Sequence, residues 1–331
     1  MLLGVKKMAY KVINQFKGAS KPKISVGKNS IIVEKTYWNA DVSEFQNAKY
    51  NVIKVDGFRS IKESDYGNIV AYIGSVPKDK LKRLNNLQWL QITSHGYNGY
   101  DDLSLYANEN ITVTNLHGVY SEAMAQYCVA MWHGFNCYSF RKALAKNVNL
   151  KSAYVADEKI NVIIYGLGDI GSEIAKKCKN QSWHVTGVKR SISNNASPYV
   201  DEVISFEDSK NMLSKYDYVI NVLPQTEETK GIYNKSFFER MKETALFCNV
   251  GRGSSVVDSD LDDAIKNGQI RGAILDACSS YKYNHPSIIT TGHSSSVAYG
   301  SREKMCKLFK QQIESFMEND VDELLYKVPL K

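Results

Sequence analysis

Short apolar runs recur along the chain, each followed by a polar or glycine-containing break and then a helix-like stretch. That alternation predicts an α/β architecture. In the first third the strand candidates are Tyr50-Asn51-Val52-Ile53-Lys54, Ile69-Val70-Ala71-Tyr72-Ile73, Trp89-Leu90-Gln91-Ile92 and Ile111-Thr112-Val113. A more regular series begins at Val162-Ile163-Ile164-Tyr165 and continues through Val185-Thr186-Gly187-Val188 to Tyr218-Val219-Ile220-Asn221-Val222-Leu223. It goes on with Ala245-Leu246-Phe247-Cys248-Asn249-Val250 and ends at Gly272-Ala273-Ile274-Leu275. Strands that are apolar almost throughout suit a parallel sheet covered on both faces. A helix between the last two is expected to be capped by Asp258, favoured by Asp260 and Asp262 near its positive end, and ended by Gly268.

Two longer helical stretches set the domain plan. One is expected from Ser121 to Lys146, crossing from a first domain to a second. Another, from Ser301 to Met317, is expected to return to the first. The predicted fold is therefore α/β with two Rossmann-like domains, parallel sheets and a cleft between them. The first domain takes residues 1–120 plus 300–331 and carries the substrate side; the dinucleotide-binding domain takes 121–299. A length of 331 residues agrees with two domains.

Composition narrows the classes. Apolar residues make up 43% and charged residues 23%, enough for packed cores. The net charge of +7 fits an anionic ligand or a lysine-rich surface, and no basic run with interleaved aromatics points to nucleic acid. Residues 123–140 contain no Asp, Glu, Lys or Arg, but Gln126, His133, Asn136 and Ser139 interrupt the run. A buried helix is therefore expected there and not a membrane span. The six cysteines are scattered, form no Cys-x-x-Cys pair and predict no metal site. Together with a short apolar N-terminus followed by Lys6 and Lys7, they lead to the expectation of a cytoplasmic protein.

Gly166-Leu167-Gly168-Asp169-Ile170-Gly171 follows a strand and precedes a helix-like segment, which is the context a G-x-G-x-x-G dinucleotide motif requires. Gly166 permits the turn, Gly168 admits a pyrophosphate to the backbone, and Gly171 lets helix and strand approach. The helix N-terminus then offers N–H groups and partial positive charge. At the end of the next strand, where an acid would hold a ribose 2′-hydroxyl, stand Lys189, Arg190 and Ser191. Two cations and a hydroxyl suit a 2′-phosphate, so NADP is expected over NAD.

Further segments carry a family resemblance. They are Leu223-Pro224-Gln225-Thr226 with Thr229, Asn249-Val250-Gly251-Arg252-Gly253, Gly272-Ala273-Ile274-Leu275-Asp276 and Ile288-Ile289-Thr290-Thr291-Gly292-His293. In this order they resemble the motif series of the D-isomer-specific 2-hydroxyacid dehydrogenases, over about residues 90–320. The resemblance implies that Arg252 binds the substrate carboxylate and carbonyl oxygen, and that His293 is the acid/base. A guanidinium fork suits a 2-oxo acid, and an imidazole titrates near neutrality. It also implies that Asp276 lies near the nicotinamide carboxamide, with Val250 and Gly251 lining the nicotinamide side. In the first domain, Ser94-His95-Gly96-Tyr97-Asn98 resembles the loop whose N–H groups hold the substrate carboxylate. A homodimer is implied too, with residues 123–140 contributing to its interface.

One departure matters. The family's glutamate, which hydrogen-bonds the histidine, has no counterpart in the segment from Ala277 to Pro286, and Tyr281 falls where it would stand. Three readings stay open. Tyr281 or Tyr283 orients His293 by a neutral hydrogen bond, with a lower pH optimum; an acid approaches from elsewhere; or efficient chemistry has been lost. The expected activity is hydride transfer between NADP(H) and a small 2-oxo/2-hydroxy acid such as glyoxylate or hydroxypyruvate. Its rivals are a nucleotide-binding sensor or interaction protein, and formate or phosphoglycerate oxidation with NAD.

Overall fold

The computed structural model describes residues 23–38, 41–137, 139–140, 160–190, 197–280, 283, 285–298, 300–319 and 321–331. The chain divides into two compact units, one comprising the residues up to Asn115 together with Cys306–Lys331, the other Leu116–Met305.

In the first unit, β1 (Ser30–Glu34), β2 (Asn51–Val55), β3 (Ile69–Ile73), β4 (Trp89–Gln91) and β5 (Thr112–Thr114) form one parallel sheet. Their order is β2-β1-β3-β4-β5. The four expected strands are present within a residue or so, and α1 (Lys78–Leu81) follows β3. β1 was not among the sequence candidates. Its Ile31-Ile32-Val33 run is short and carries a serine and a glutamate at its ends, yet every residue of the strand is buried. The Glu34 carboxylate is accommodated there because it accepts hydrogen bonds from the Tyr72 hydroxyl at 2.7 Å and the Ser75 N–H at 3.0 Å. The later part of α7 (Ser301–Asn319) belongs to this unit. Phe316 lies 5.3 Å, ring to ring, from both Tyr50 and Trp89. Gln312 clamps the chain after the helix by bonding both the N–H and the carbonyl of Leu325, each at 2.9 Å.

The second unit is built on β6 (Asn161–Tyr165), β7 (His184–Val188), β8 (Glu202–Ile204), β9 (Tyr218–Asn221), β10 (Leu246–Asn249), β11 (Gly272–Leu275) and β12 (Ile288–Thr290). They form a parallel sheet in the order β12-β11-β10-β9-β6-β7-β8. Strand order reverses beside β6, which has β7 on one side and β9 on the other. In doubly wound sheets such a reversal opens a crevice at the carboxyl ends of the strands. Successive side chains of a strand point to opposite faces, and both faces are covered. Val162 and Ile164 enter one core cluster with α2 (Ser121–Asn136) and α3 (Asp169–Lys179), while Ile163 and Tyr165 enter another with Phe237, Phe238 and Leu261. β8 was missed because its Glu-Val-Ile sequence is half polar, as an edge strand allows.

Three expectations about helices need correction or refinement. The long helix does not run unbroken to Lys146, since α2 ends at Asn136, where Cys137 turns extended. Gly134 makes this possible, because the Phe140 ring occupies the space a Cβ there would need; residues 141–146 lie outside the described residues. All of α2 belongs to the second unit. Its uncharged face, including Met124, Cys128, Met131, Trp132 and Phe135, fills that unit's core. Second, Asp258 does not cap α6 (Asp258–Lys266). Val257 is the cap residue, without a side-chain bond, and the Asp258 carboxylate instead accepts from the Tyr283 hydroxyl at 2.6 Å. Gly268, at φ +71°, does follow the helix end in the left-handed conformation that glycine favours. Third, α3 starts at Asp169, inside the glycine motif and not after it. It buries Ile170, Ile174 and Cys178, spaced four apart, and places Lys176, Lys177 and Lys179 in its last turn. No helix among the described residues is long and apolar enough to cross a membrane.

Candidate active site

The glycine turn follows β6 directly. Gly166 adopts φ +101° and donates its N–H to Val188 O at 3.1 Å, tying the turn to the end of β7. Gly168 caps α3, and a Cβ on it would meet nothing within 4 Å, so open space lies before that backbone. A Cβ on Gly171 would overlap the carbonyl oxygen of Gly166. These are the conditions under which an anion can approach the N–H groups of a helix start.

The two residues between the last glycines are otherwise engaged. Ile170 packs into the core, so only its backbone faces the turn. The Asp169 carboxylate accepts from Ser121 Oγ and, at 3.0 Å, from the Gly118 N–H, with His117 Nε2 at 4.0 Å. The acid thus fastens the glycine turn to the segment leading into α2.

At the end of β7, Lys189 donates its N–H to Ile204 O at 3.2 Å. Arg190 reaches Glu228 Oε2 at 2.8 Å. Ser191 lies outside the described residues. On the other side of β6, the loop after β9 is braced by Thr229, whose hydroxyl donates to Pro224 O and accepts from the Thr226 N–H, both at 2.8 Å. Leu223 donates its N–H to Asn221 Oδ1 at 3.0 Å.

Two asparagines to which the sequence reading gave no role organise the ends of β9 and β10. Asn221 and Asn249 are fully buried. Asn221 Nδ2 donates to Asn249 Oδ1 at 2.8 Å and to Ser255 Oγ at 3.0 Å, while its Oδ1 accepts from the Tyr233 hydroxyl. Asn249 Nδ2 donates to Ala277 O at 2.7 Å and Arg252 O at 3.0 Å, and its Oδ1 accepts from the Gly251 N–H. A satisfied buried network of this kind fixes backbone geometry, here that of Val250, Gly251 and Arg252. The available signal was an amide closing each of two apolar strands.

Arg252 is half buried, and burial lowers its pKa from the ordinary arginine value. Its Nη1 donates to Gly251 O at 2.9 Å. Among the described residues no carboxylate pairs with it. A partly desolvated guanidinium without a counter-ion favours an anionic ligand.

Asp276, just past β11, is 1% exposed. Its carboxylate accepts from Thr291 Oγ1 at 2.7 Å, the Ser294 N–H at 2.7 Å, the Ser295 N–H at 3.0 Å, and Ser295 Oγ. The acid therefore holds the loop that carries His293. His293 itself is exposed, sits at φ +59° after Gly292 at +68°, and donates its N–H to Asp276 O at 2.9 Å. Tyr283 does not orient it. The Tyr283 hydroxyl is committed to Asp258, and both burial and that carboxylate push its pKa up. Tyr281 lies outside the described residues. Arg252 and His293 each stand three residues past a strand end, on β10 and β12, which flank β11.

In the first unit, the 94–97 loop follows β4. Ser94 Oγ donates to Gly96 O at 2.6 Å, His95 O accepts from Asn115 Nδ2 at 2.7 Å, and Tyr97 O accepts from the Tyr100 N–H at 2.8 Å. The Ser94 and Gly96 N–H groups donate to no acceptor among the described residues.

Residues 141–295 match the family model described as "D-isomer specific 2-hydroxyacid dehydrogenase, NAD binding domain". The human glyoxylate reductase/hydroxypyruvate reductase is 32% identical over 156 residues, 44% of this chain and 46% of that protein. Such alignments span about half the length of the first curated relatives. Among solved structures, a D-isomer-specific 2-hydroxyacid dehydrogenase family protein from Aeromonas salmonicida superposes with a TM-score of 0.73 at 23% identity, covering 92% of this chain and 99% of that one. The NADPH-dependent glyoxylate/hydroxypyruvate reductase of Sinorhizobium meliloti, solved with NADP and malonate, gives 0.69 at 20% identity, covering 91% and 97%. The two structures share the fold. Residues 141–295 are thus similar to the NAD-binding domain of the D-isomer-specific 2-hydroxyacid dehydrogenases, and the chain shares the fold of proteins of that family.

Proposed function

We propose that the protein transfers a hydride between NADP(H) and a small 2-oxo/2-hydroxy acid of the D series. The observation that carries this reading is Arg252, desolvated, unpaired with any described carboxylate, and fixed at the carboxyl edge of a dinucleotide-type sheet. The glyoxylate and hydroxypyruvate reductase activity named for the relatives supports a short 2-oxo acid.

The residues fit a nicotinamide dinucleotide. The Gly168 backbone and the start of α3 would receive its pyrophosphate, with Lys189 and Arg190 beside the adenosine ribose. When bound, the reduced cofactor supplies the hydride to the carbonyl carbon of the 2-oxo acid. Arg252 holds the carboxylate and stabilises negative charge developing on the carbonyl oxygen. His293 gives that oxygen its proton, and in oxidation takes it back. The unpaired N–H groups of Ser94 and Gly96 suit a carboxylate oxygen. The domain roles, substrate side in the first unit and dinucleotide side in the second, follow from these assignments; the homodimer rests on the family resemblance alone.

The test is loss of reduced-nicotinamide absorbance with glyoxylate, hydroxypyruvate, pyruvate and phenylpyruvate, using NADPH and NADH in turn. Turnover is expected with at least one acid. Arg252→Ala should lower kcat/KM by about 10²–10³-fold while leaving NADPH affinity within about twofold. Equal loss of both would refute the role of Arg252. Binding without any turnover would favour a nucleotide sensor.

A further inference from the structure

The carboxyl ends of β7 and β9 lie on either side of β6, the strand that delivers the glycine turn. Arg190 comes from the loop after β7 and Glu228 from the loop after β9. Their side chains meet at 2.8 Å although they are 78% and 72% exposed. The pair therefore reaches across the carboxyl end of β6, over the crevice that the strand reversal opens. It also answers a question left by the sequence, in which the stretch between Glu173 and Asp201 contains no acid. The carboxylate beside Arg190 is supplied from 38 residues further along the chain.

We infer that Glu228 competes with the cofactor 2′-phosphate for Arg190 and thereby sets the discrimination between NADP(H) and NAD(H). This rests on the dinucleotide reading above. A guanidinium whose Nη2 is engaged by a carboxylate pairs less strongly with a phosphate, because part of its charge is already neutralised and the two anions repel, so part of the phosphate contact is offset. NAD carries a neutral hydroxyl at that position and need not break the pair. Because both side chains are solvated, the effect is bounded by what an exposed ion pair contributes. Glu228 is thus a selectivity residue that tempers a preference for the phosphorylated cofactor.

The test is fluorescence titration of the full chain with NADPH and with NADH, for wild type, Glu228→Gln, Arg190→Gln and the double variant. Glu228→Gln should tighten NADPH by about two- to fivefold, the range of an exposed ion pair, and leave NADH within experimental scatter. Arg190→Gln should weaken NADPH, and in that background Glu228→Gln should no longer change the NADPH-to-NADH ratio. An unchanged ratio in Glu228→Gln, with both cofactors bound, overturns the competition but leaves the dinucleotide reading standing. Weakened NADH binding in Glu228→Gln also overturns it, since the carboxylate would then be holding the ribose hydroxyls. Binding of neither cofactor by the wild type overturns both readings.

Discussion

Replacing Asp276 removes the acceptor around which the His293 loop is built. Its carboxylate receives two backbone N–H groups and two hydroxyls at a position only 1% exposed. In Asp276→Ala the donors fare differently. Thr291 Oγ1 keeps the Tyr127 hydroxyl at 2.8 Å, and Ser294, being exposed, can turn its N–H to water. Ser295 is 4% exposed, so both its N–H and its hydroxyl are left buried and unpaired. Each of the two orphaned groups costs about 1–3 kcal/mol, which gives a loss of about 2–6 kcal/mol. Asp276→Asn keeps one carbonyl oxygen for the backbone donors, and Ser295 Oγ can reverse to accept from the new amide. About 1–2 kcal/mol should then be lost. Urea unfolding followed by circular dichroism measures the difference as a lower midpoint at unchanged slope. Hydrogen exchange at the Ser294 and Ser295 amides should accelerate in parallel. An Asp276→Ala protein within about 1 kcal/mol of wild type, or an Asn variant as unstable as the Ala variant, would refute the reasoning.

Two other perturbations follow from the same geometry. Gly171→Ala forces a methyl group into the Gly166 carbonyl, and should lower stability by about 3 kcal/mol in urea unfolding and abolish detectable NADPH binding; normal binding would show that the turn yields easily. Asp201 bears on pH. Burial opposes its ionisation, but the Lys179 ammonium at 2.7 Å and the Val185 N–H at 2.7 Å outweigh it and hold its pKa below the usual carboxylate value. The folded state therefore binds this proton less readily than the unfolded state. The stabilisation is present above the unfolded carboxylate pKa, about 3.9, and is lost as pH falls through the lower folded value. Asp201→Asn should make unfolding less steeply pH-dependent below about pH 4, and an unchanged acid profile would refute the assignment.

The sequence by itself determined the parallel strands that face two cores, the glycine turn and the motif series. Each is written in local terms. Val162-Ile163-Ile164-Tyr165 is apolar on both parities because both faces of β6 are covered, and Gly171 is small because a carbonyl lies where its Cβ would be. Tertiary structure decided what local terms cannot encode, namely which side chains meet across long separations. Asp258 looked like a helix cap, but Tyr283 claims its carboxylate from 25 residues away. Asp169 stands inside the dinucleotide motif, but Ser121 and Gly118 hold its carboxylate. Arg190 looked like an unopposed cation until the loop after β9 brought Glu228 to it. Asn221 and Asn249 read as ordinary strand ends, yet their buried amides position Gly251 and Arg252. A polar side chain's local spacing shows which partners lie close along the chain, and only the packed sheet shows which distant donor or acceptor reaches it.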